Sequence, residues 1–344
     1  MVPSGAGDVY VHAFFGNRSA PVLVSLVYDG AMTHPILGLH HVTATVDDAQ
    51  ADLTFCLDVL GMRLVKKTVN FDNHGVYHFY YGTERGQPGT IWTTFPYKSQ
   101  GVRVGAKGAG QVVTTCFSVP ASSIAFWQER LRNSGVQFRE EPGPFGEDAL
   151  QFPDPSGLWF ELVGSDKDSR TPWTGNGVDA ANAIRGLHSV TMTVRSLDAT
   201  RTLLTEVLGY KIQNEAEGRT RFTAGGDTPG HTIDVHVDPY ADHAVNGLGT
   251  VHHVAMAIST DEEQLRLRQE LLRIGLRVTE VRDRCYFNSI YFREPGGVLF
   301  EVATVQPGFT VDEDLSSLGR GLKLPPWEEP NRPVIEATLP DVEY

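Results

Sequence analysis

The chain has 344 residues, 41% of them hydrophobic, with 35 Gly, 20 Pro and a formal net charge of −13. That length suggests about two domains and the composition a loop-rich globular protein with chain enough for a core, while the charge argues against a general binder of nucleic acid or anionic membrane. No apolar run reaches the roughly 18 residues of a membrane span, and three widely spaced cysteines (Cys56, Cys116, Cys285) without a CxxC pattern give no disulfide or structural-zinc framework, which fits a reducing cytoplasm.

Residues 1–31 contain one short apolar run, Val22 to Val27, but no basic segment before it. They read as an extension outside the core. From residue 36 the pattern is strand, helix, strands, four times over. The first unit opens at Leu39-His40-His41-Val42-Thr43-Ala44-Thr45-Val46, continues as a helix from Asp48 to Leu60-Gly61, and then gives strand-like runs at 62–69, 76–81 and 90–95. The second opens at Gln111-Val112-Val113-Thr114-Thr115, has a helix near 121–134, strands near 136–140 and 148–152, and closes on Glu161. After a polar stretch the third opens at Leu187-His188-Ser189 and the fourth at Val251-His252-His253-Val254; the fourth closes on Pro295-Gly296-Gly297-Val298-Leu299-Phe300-Glu301.

The spacing repeats. His41 to Leu60 and Ser189 to Leu208 are both 19 residues; Gly135 to Glu161 and Gly275 to Glu301 are both 26. Units one and three match, as do units two and four. Each repeated unit must bury its face against another. The expected fold is therefore α+β: four βαβββ modules paired into two barrel-like, curved mixed sheets with the helices outside. In chain order this gives a first domain (36–164), a linker (165–183), a second domain (184–304) and an irregular, wrapping tail (305–344).

Side chains alternate across a strand. Alternation turns His41, Val112, Ser189 and His253 towards the concave faces, with Glu161 and Glu301, and leaves His40 and His252 on the helix side. If neighbouring modules pair, both cavities hold an incomplete ligand set. If module one pairs with four and two with three, one cavity collects His41, His253 and Glu301, and the other collects Val112, Ser189 and Glu161. Two histidines and a carboxylate form the facial triad of non-haem Fe(II) oxygenases, so the second pairing is expected. His78, His231 and His236 have no comparable partners and read as structural or rim residues. Phe79, Tyr80, Trp92 and Phe287 are candidates for a ring slot.

These motifs resemble the vicinal oxygen chelate superfamily of glyoxalases, bleomycin-resistance proteins and extradiol dioxygenases, and most closely its ring-cleaving hydroquinone dioxygenases. The resemblance covers about residues 36–325. It rests on Gly38-Leu39-His40-His41-Val42-Thr43, Pro88-Gly89-Thr90, Thr93-Thr94-Phe95-Pro96, Ile184-Arg185-Gly186-Leu187-His188-Ser189, His252-His253, Arg284 with Tyr291, the Pro295-to-Glu301 strand, and Gly308-Phe309-Thr310 with Asp312-Glu313-Asp314. It implies Fe(II), with Mn(II) as the alternative, on His41, His253 and Glu301. It also implies catalytic roles for His40, Thr43, His252, Arg284 and Tyr291. The expected partners are a small aromatic substrate and O2, in a cytoplasmic homo-oligomer with no nucleic-acid or membrane partner. The catechol branch takes its first histidine from the third unit, where this chain has Ser189. Two other readings stand beside this one: a glyoxalase-like metal-dependent lyase or isomerase, which would need a fourth ligand such as Glu161, and a metal-free protein that binds an aromatic drug.

Overall fold

The computed structural model describes residues 9–11, 24–26, 36–143, 145–216 and 218–344. Most of the 1–31 extension lies outside the described residues. Within it, β1 (Val9–Val11) and β2 (Val24–Leu26) pair with one another in a separate two-stranded sheet.

Module one comprises β3 (Ile36–Val46), α1 (Ala49–Thr54), β4 (Arg63–Asn70), β5 (Asn73–Gly82) and β6 (Ile91–Pro96). Module two comprises β7 (Gln111–Val119), α2 (Ile124–Asn133), β8 (Arg139–Pro142), β9 (Asp148–Pro153) and β10 (Trp159–Gly164). Module three has β11 (Gly186–Val194), α3 (Asp198–Thr202), β12 (Lys211–Ala216), β13 (Arg219–Thr223) and β14 (Thr232–Val237). Module four has β15 (Thr250–Ile258), α4 (Asp261–Arg273), β16 (Arg282–Asp283), β17 (Phe287–Arg293) and β18 (Leu299–Pro307).

The modules form two curved eight-stranded mixed sheets. One has the order β16-β17-β18-β15-β3-β6-β5-β4 and so joins module four to module one; the other, β12-β13-β14-β11-β7-β10-β9-β8, joins three to two. This is the pairing that brings the two histidine doublets together. Each sheet draws one module from each half of the chain. Arg170 fastens the 165–183 connection across that arrangement: its guanidinium donates to the carbonyls of Gly89 and Leu187, both at 2.7 Å, while Asp168 holds its other edge. A Cβ at Gly186 would lie 2.7 Å from that guanidinium, so the strand there needs glycine.

The helices follow from local signals. In α4 the Thr260 hydroxyl caps Glu263 N, acidic residues fill the first turn, and Gly275 at φ +90° follows the end. Leu267 and Leu271 are its buried stripe, and Gln264 donates to the carbonyls of Asn288 and Val302, both at 2.8 Å, pinning the helix to the sheet. The α1 and α3 helices both widen into a π-turn, Phe55–Val59 and Leu203–Val207, closed by Leu60 N to Phe55 O and Leu208 N to Leu203 O. The 19-residue interval in the sequence is this shared device.

The tail is more than irregular wrapping. It ends in a short helix, α5 (Arg332–Thr338), and its earlier part fills the floor of the module one–four barrel. Phe309 and Leu318 join Val65, Tyr80, Ile91, Tyr286 and Phe287 in an apolar cluster inside that barrel. Lys66, fully buried on β4, pairs with Asp312 at 2.5 Å and with Glu313, and lies 5.0 Å from the Tyr286 ring centre.

Candidate metal centre and cavity

The site is set by register. In the β3–β15 ladder His41 faces Ala255 and Thr43 faces His253; in the β15–β18 ladder Ala255 faces Glu301. His41, Ala255 and Glu301 therefore form one row across three strands, and His253 stands beside it. Ala255 is small, so the space above it is left to the flanking side chains. His41 Nε2 lies 3.3 Å from His253 Nε2 and 3.3 Å from Glu301 Oε2, and His253 Nε2 lies 2.8 Å from the same carboxylate oxygen. All three residues are buried, and theirs is the one such His/Cys/Asp/Glu cluster among the described residues.

The first histidine of each doublet sits where the ladder slips. The register shifts between Val251 and His253, which makes His252 the extra residue of β15, and between His41 and Leu39, which makes His40 the extra residue of β3. Strict alternation put these two on the helix side. The β-bulges overturn that, because an extra residue re-aims its side chain without displacing the strand. His40 Nδ1 consequently lies 2.9 Å from His41 Nδ1, and His252 Nδ1 lies 2.8 Å from His253 Nδ1. Phe287 packs on both His40 and His41, with centroids 4.8 and 5.2 Å away.

These contacts decide protonation. Burial, then the neighbouring His41, pushes His40 down to about 3; burial, then His253, does the same to His252. Both are neutral at pH 7. With His41 Nε2 used as a ligand, its Nδ1–H would donate to His40 Nδ1, as the short contact between them allows.

The donor set fits a cation. Cis ligands at about 2.1 Å from one ion stand about 3.0 Å apart at right angles and about 3.4 Å apart in a tetrahedron, and the three separations fall around that range. Glu301 Oε2 lies close to both imidazoles, yet it is buried without a hydrogen bond of acceptable angle. The three ligand atoms converge on one point. Burial pushes the Glu301 carboxyl up, but, with no cation between them, protonated His41 and His253 outweigh it and hold the group well below the usual carboxylate range. Ser289 donates to the other oxygen and fixes the carboxylate plane.

A cavity of ≈ 200 Å³ opens over the cluster. Of the expected catalytic residues, His252, Arg284 and Tyr291 line it. Arg284 donates from Nε to the Tyr291 hydroxyl at 3.1 Å and reaches Asp72 at 3.2 Å. Burial, then the Glu301 charge, raises the Tyr291 phenol, so it stays protonated. His40 and Thr43 do not reach the cavity: His40 stands behind His41, and Thr43 is buried in a hydroxyl contact with Thr93 at 2.8 Å.

The cavity wall corrects other expectations. Of the three histidines expected as structural or rim residues, His78 lines it, and His231 and His236 do not. Tyr80 and Phe287 line it, but Phe79 and Trp92 belong to the main core beneath the helices. Asn70, Phe71, Asp72, Phe95 and Tyr97 complete the wall and were not foreseen. Alternation along β5 and β6 could have found His78 and Phe95 and told Tyr80 from Phe79. Asn70 ends β4, and Phe71 and Asp72 form the turn to β5, which carries no periodic signal.

The other sheet has the same framework without the ligands. Ser189 faces Cys116 and Cys116 faces Glu161, in the register of His41, Ala255 and Glu301. Thr191 faces Thr114 as Thr43 faces His253. The counterpart of His253 is therefore Thr114, not Val112, which is buried in the main core; the register slip at Val113 accounts for the difference. Glu161 accepts from Cys116 and Gln151 at 3.2 and 2.9 Å and lies in a different sheet from the cluster, so it is no fourth ligand there. No helix among the described residues is long and apolar enough to cross a membrane.

The comparisons with known proteins agree with this architecture. The chain is 44% identical over 305 residues to "Putative ring-cleaving dioxygenase MhqE" of Bacillus subtilis, covering 89% of this chain and 99% of that one. It is 36% identical over 312 residues to a chlorohydroquinone/hydroquinone 1,2-dioxygenase of Sphingobium indicum, covering 88% of this chain and 96% of that one. A crystal structure of a "putative dioxygenase" from Bacillus subtilis superposes with a TM-score of 0.86 at 41% identity, over 90% of this chain and 99% of that one. Glyoxalase I from Zea mays shares the fold, with a TM-score of 0.57 at 16% identity over 78% of this chain and 92% of that one. The family model for the glyoxalase/bleomycin resistance protein/dioxygenase superfamily matches residues 38–162 and 186–302, and this chain belongs to that superfamily.

Proposed function

We propose that the protein is an Fe(II)-dependent ring-cleaving dioxygenase of hydroquinone-type aromatics, inserting both atoms of O2, with the ion held by His41, His253 and Glu301. The observation that carries this reading is the convergence of those three ligand atoms, within 3.3 Å of one another, at the base of an aromatic-walled cavity. The named activities of the relatives support the reaction class. Bound there, Fe(II) would supply a Lewis acid for a phenolic oxygen and a redox centre for dioxygen, with Mn(II) as the alternative ion.

The chain's own residues then have definable tasks. With His253 Nε2 used as a ligand, His253 Nδ1–H donates to His252 Nδ1, and His252 Nε2–H faces the cavity as a proton donor. Arg284 and the protonated Tyr291 hydroxyl offer positive charge and a donor to negative charge that develops on the ring or on oxygen. Tyr80, Phe95 and Phe287 give the ring apolar walls and limit access of water.

The test is anaerobic reconstitution with Fe(II), followed by oxygen uptake on a panel of hydroquinones and catechols. Uptake on hydroquinones with one ring-opened product per O2 is the expected result. Full activity of a zinc or nickel form without oxygen uptake would replace this reading with a lyase or isomerase, and binding of aromatics with no stoichiometric metal would replace it with a drug-binding protein.

A further inference from the structure

His78 is the cavity histidine to which the proposed reaction assigns no task. It lies on β5, two strands from β3 in the order β3-β6-β5, and faces the cavity. Its ring packs against Tyr80 and Phe95, with centroids 4.0 and 4.3 Å away. His78 Nε2 is 2.9 Å from Thr93 Oγ1, and Thr93 donates its own hydroxyl proton to Thr43 Oγ1 at 2.8 Å. A hydroxyl has one proton, so the Thr93 oxygen accepts from His78. With that bond direction the His78 proton is on Nε2, and Nδ1 is a bare lone pair. Nδ1 has no protein partner and is not among the sealed, unpartnered atoms, so it opens on the cavity.

Apart from the Asp72 carboxylate, which faces Arg284, the rest of the polar wall is rich in donors. Arg284 has only donors, and His252 presents Nε2–H. Tyr97 accepts from Asn70 Nδ2 at 2.8 Å, which leaves its own proton free. A ligand that brings a hydroxyl proton into this wall needs an acceptor, and His78 Nδ1 is placed to be one. In the ladders His41 pairs with Ile91 of β6 whereas Phe79 pairs with Thr94, so His78 stands farther along the strands than His41, and both side chains line the one cavity.

We propose that His78 Nδ1 accepts a hydrogen bond from the substrate hydroxyl that lies away from the metal ligands, and so selects rings with hydroxyls at opposite ends. A catechol, with both hydroxyls on the metal side, has no proton to offer there. The inference rests on the dioxygenase reading for its choice of ligand.

The experiment measures anaerobic binding of hydroquinone and of 4-methoxyphenol to the metal-loaded protein. The methyl ether keeps the ring and removes one donor. Wild type should prefer hydroquinone by about tenfold, the worth of one net hydrogen bond. His78→Phe should bring the preference to within about twofold at unchanged metal content, and His78→Asn, which keeps an acceptor near the Nδ1 position, should restore part of it. Thr93→Val tests the same tautomer from the other end of the bond and should also narrow the preference. A wild-type preference that survives in both His78→Phe and Thr93→Val, or the absence of any preference in wild type, overturns the assignment. Oxygen uptake by the wild type separates the two ideas. Uptake with a preference that ignores His78 defeats this inference alone; a His78-dependent preference without uptake defeats the dioxygenase reading alone.

Discussion

His252 Nδ1 stands 2.8 Å from His253 Nδ1, and that one contact requires a β-bulge, a fixed tautomer and a ligand lone pair to coincide. The His40–His41 pair repeats it at 2.9 Å. A histidine that orients a ligating histidine typically accounts for 10–100-fold in metal affinity. His252→Phe and His40→Phe should each weaken metal binding by about that factor without abolishing it. Competition with a chelator reads the loss, and affinity equal to wild type in both variants would show that the doublets are packing contacts only.

Direct removal of ligands should have a harsher effect. His253→Ala and Glu301→Ala should each leave the protein folded and without stoichiometric metal. Glu161→Ala, in the other sheet, should keep its full complement. Metal analysis of the three purified variants decides this, and full occupancy in Glu301→Ala would dismiss the site.

The pairing of modules was legible because His41, His253 and Glu301 are useless apart. Only one arrangement of four repeated units collects them, and the sheet orders match it. Alternation failed where the ladder slips, at His40, His252 and Val113, because a bulge is a property of two paired strands and leaves no period in either. The mouth was illegible for a related reason. Asn70 and Asp72 reach the cavity from the end of β4 and the turn after it, and Asp72 meets Arg284, which lies between β16 and β17. The Lys66 pairing with Asp312 and Glu313 was hidden too, since a lysine on a half-buried strand reads as a surface residue until the tail covers it.

That buried lysine yields a stability prediction. Lys66→Met leaves the nearly sealed Glu313 carboxylate and the partly exposed Asp312 without their cation. Breaking a buried pair from one side costs about 3–5 kcal/mol. Urea unfolding should show a loss of that order, and limited proteolysis should cut the chain first between residues 308 and 322. Unchanged stability and protection would mean that the apolar contacts of Phe309 and Leu318 hold the tail unaided.

Asp52 supplies a pH test away from the metal centre. It lies on the buried face of α1 and accepts from Tyr81 and Thr94 at 2.6 and 2.5 Å. Burial is the largest influence and pushes its carboxyl up to about 6 from an ordinary 3.8. The folded state then holds a proton that the unfolded state releases, so this group's contribution to stability falls as pH rises between those values and is lowest above 6. At 1.36 kcal/mol per unit the swing is about 3 kcal/mol. The stability difference between wild type and Asp52→Asn should therefore shift in favour of the variant from pH 4 to pH 7.5. A difference independent of pH in denaturant titrations would contradict it.

The second sheet offers the sharpest test of the site's logic. Ser189, Cys116 and Glu161 occupy the register of His41, Ala255 and Glu301, and Thr114 occupies that of His253. Cys116 fills the space that Ala255 leaves open and ties up Glu161 through its thiol. If register and an open floor are what make the site, the triple variant Ser189→His/Thr114→His/Cys116→Ala should bind a second metal ion. Its stoichiometry should rise from one to two per chain, and Glu161→Ala in that background should return it to one. A folded triple variant that still binds one ion would show that the doublet partners His40 and His252, which the second sheet matches only with His188 and Val113, are as necessary as the three ligands themselves.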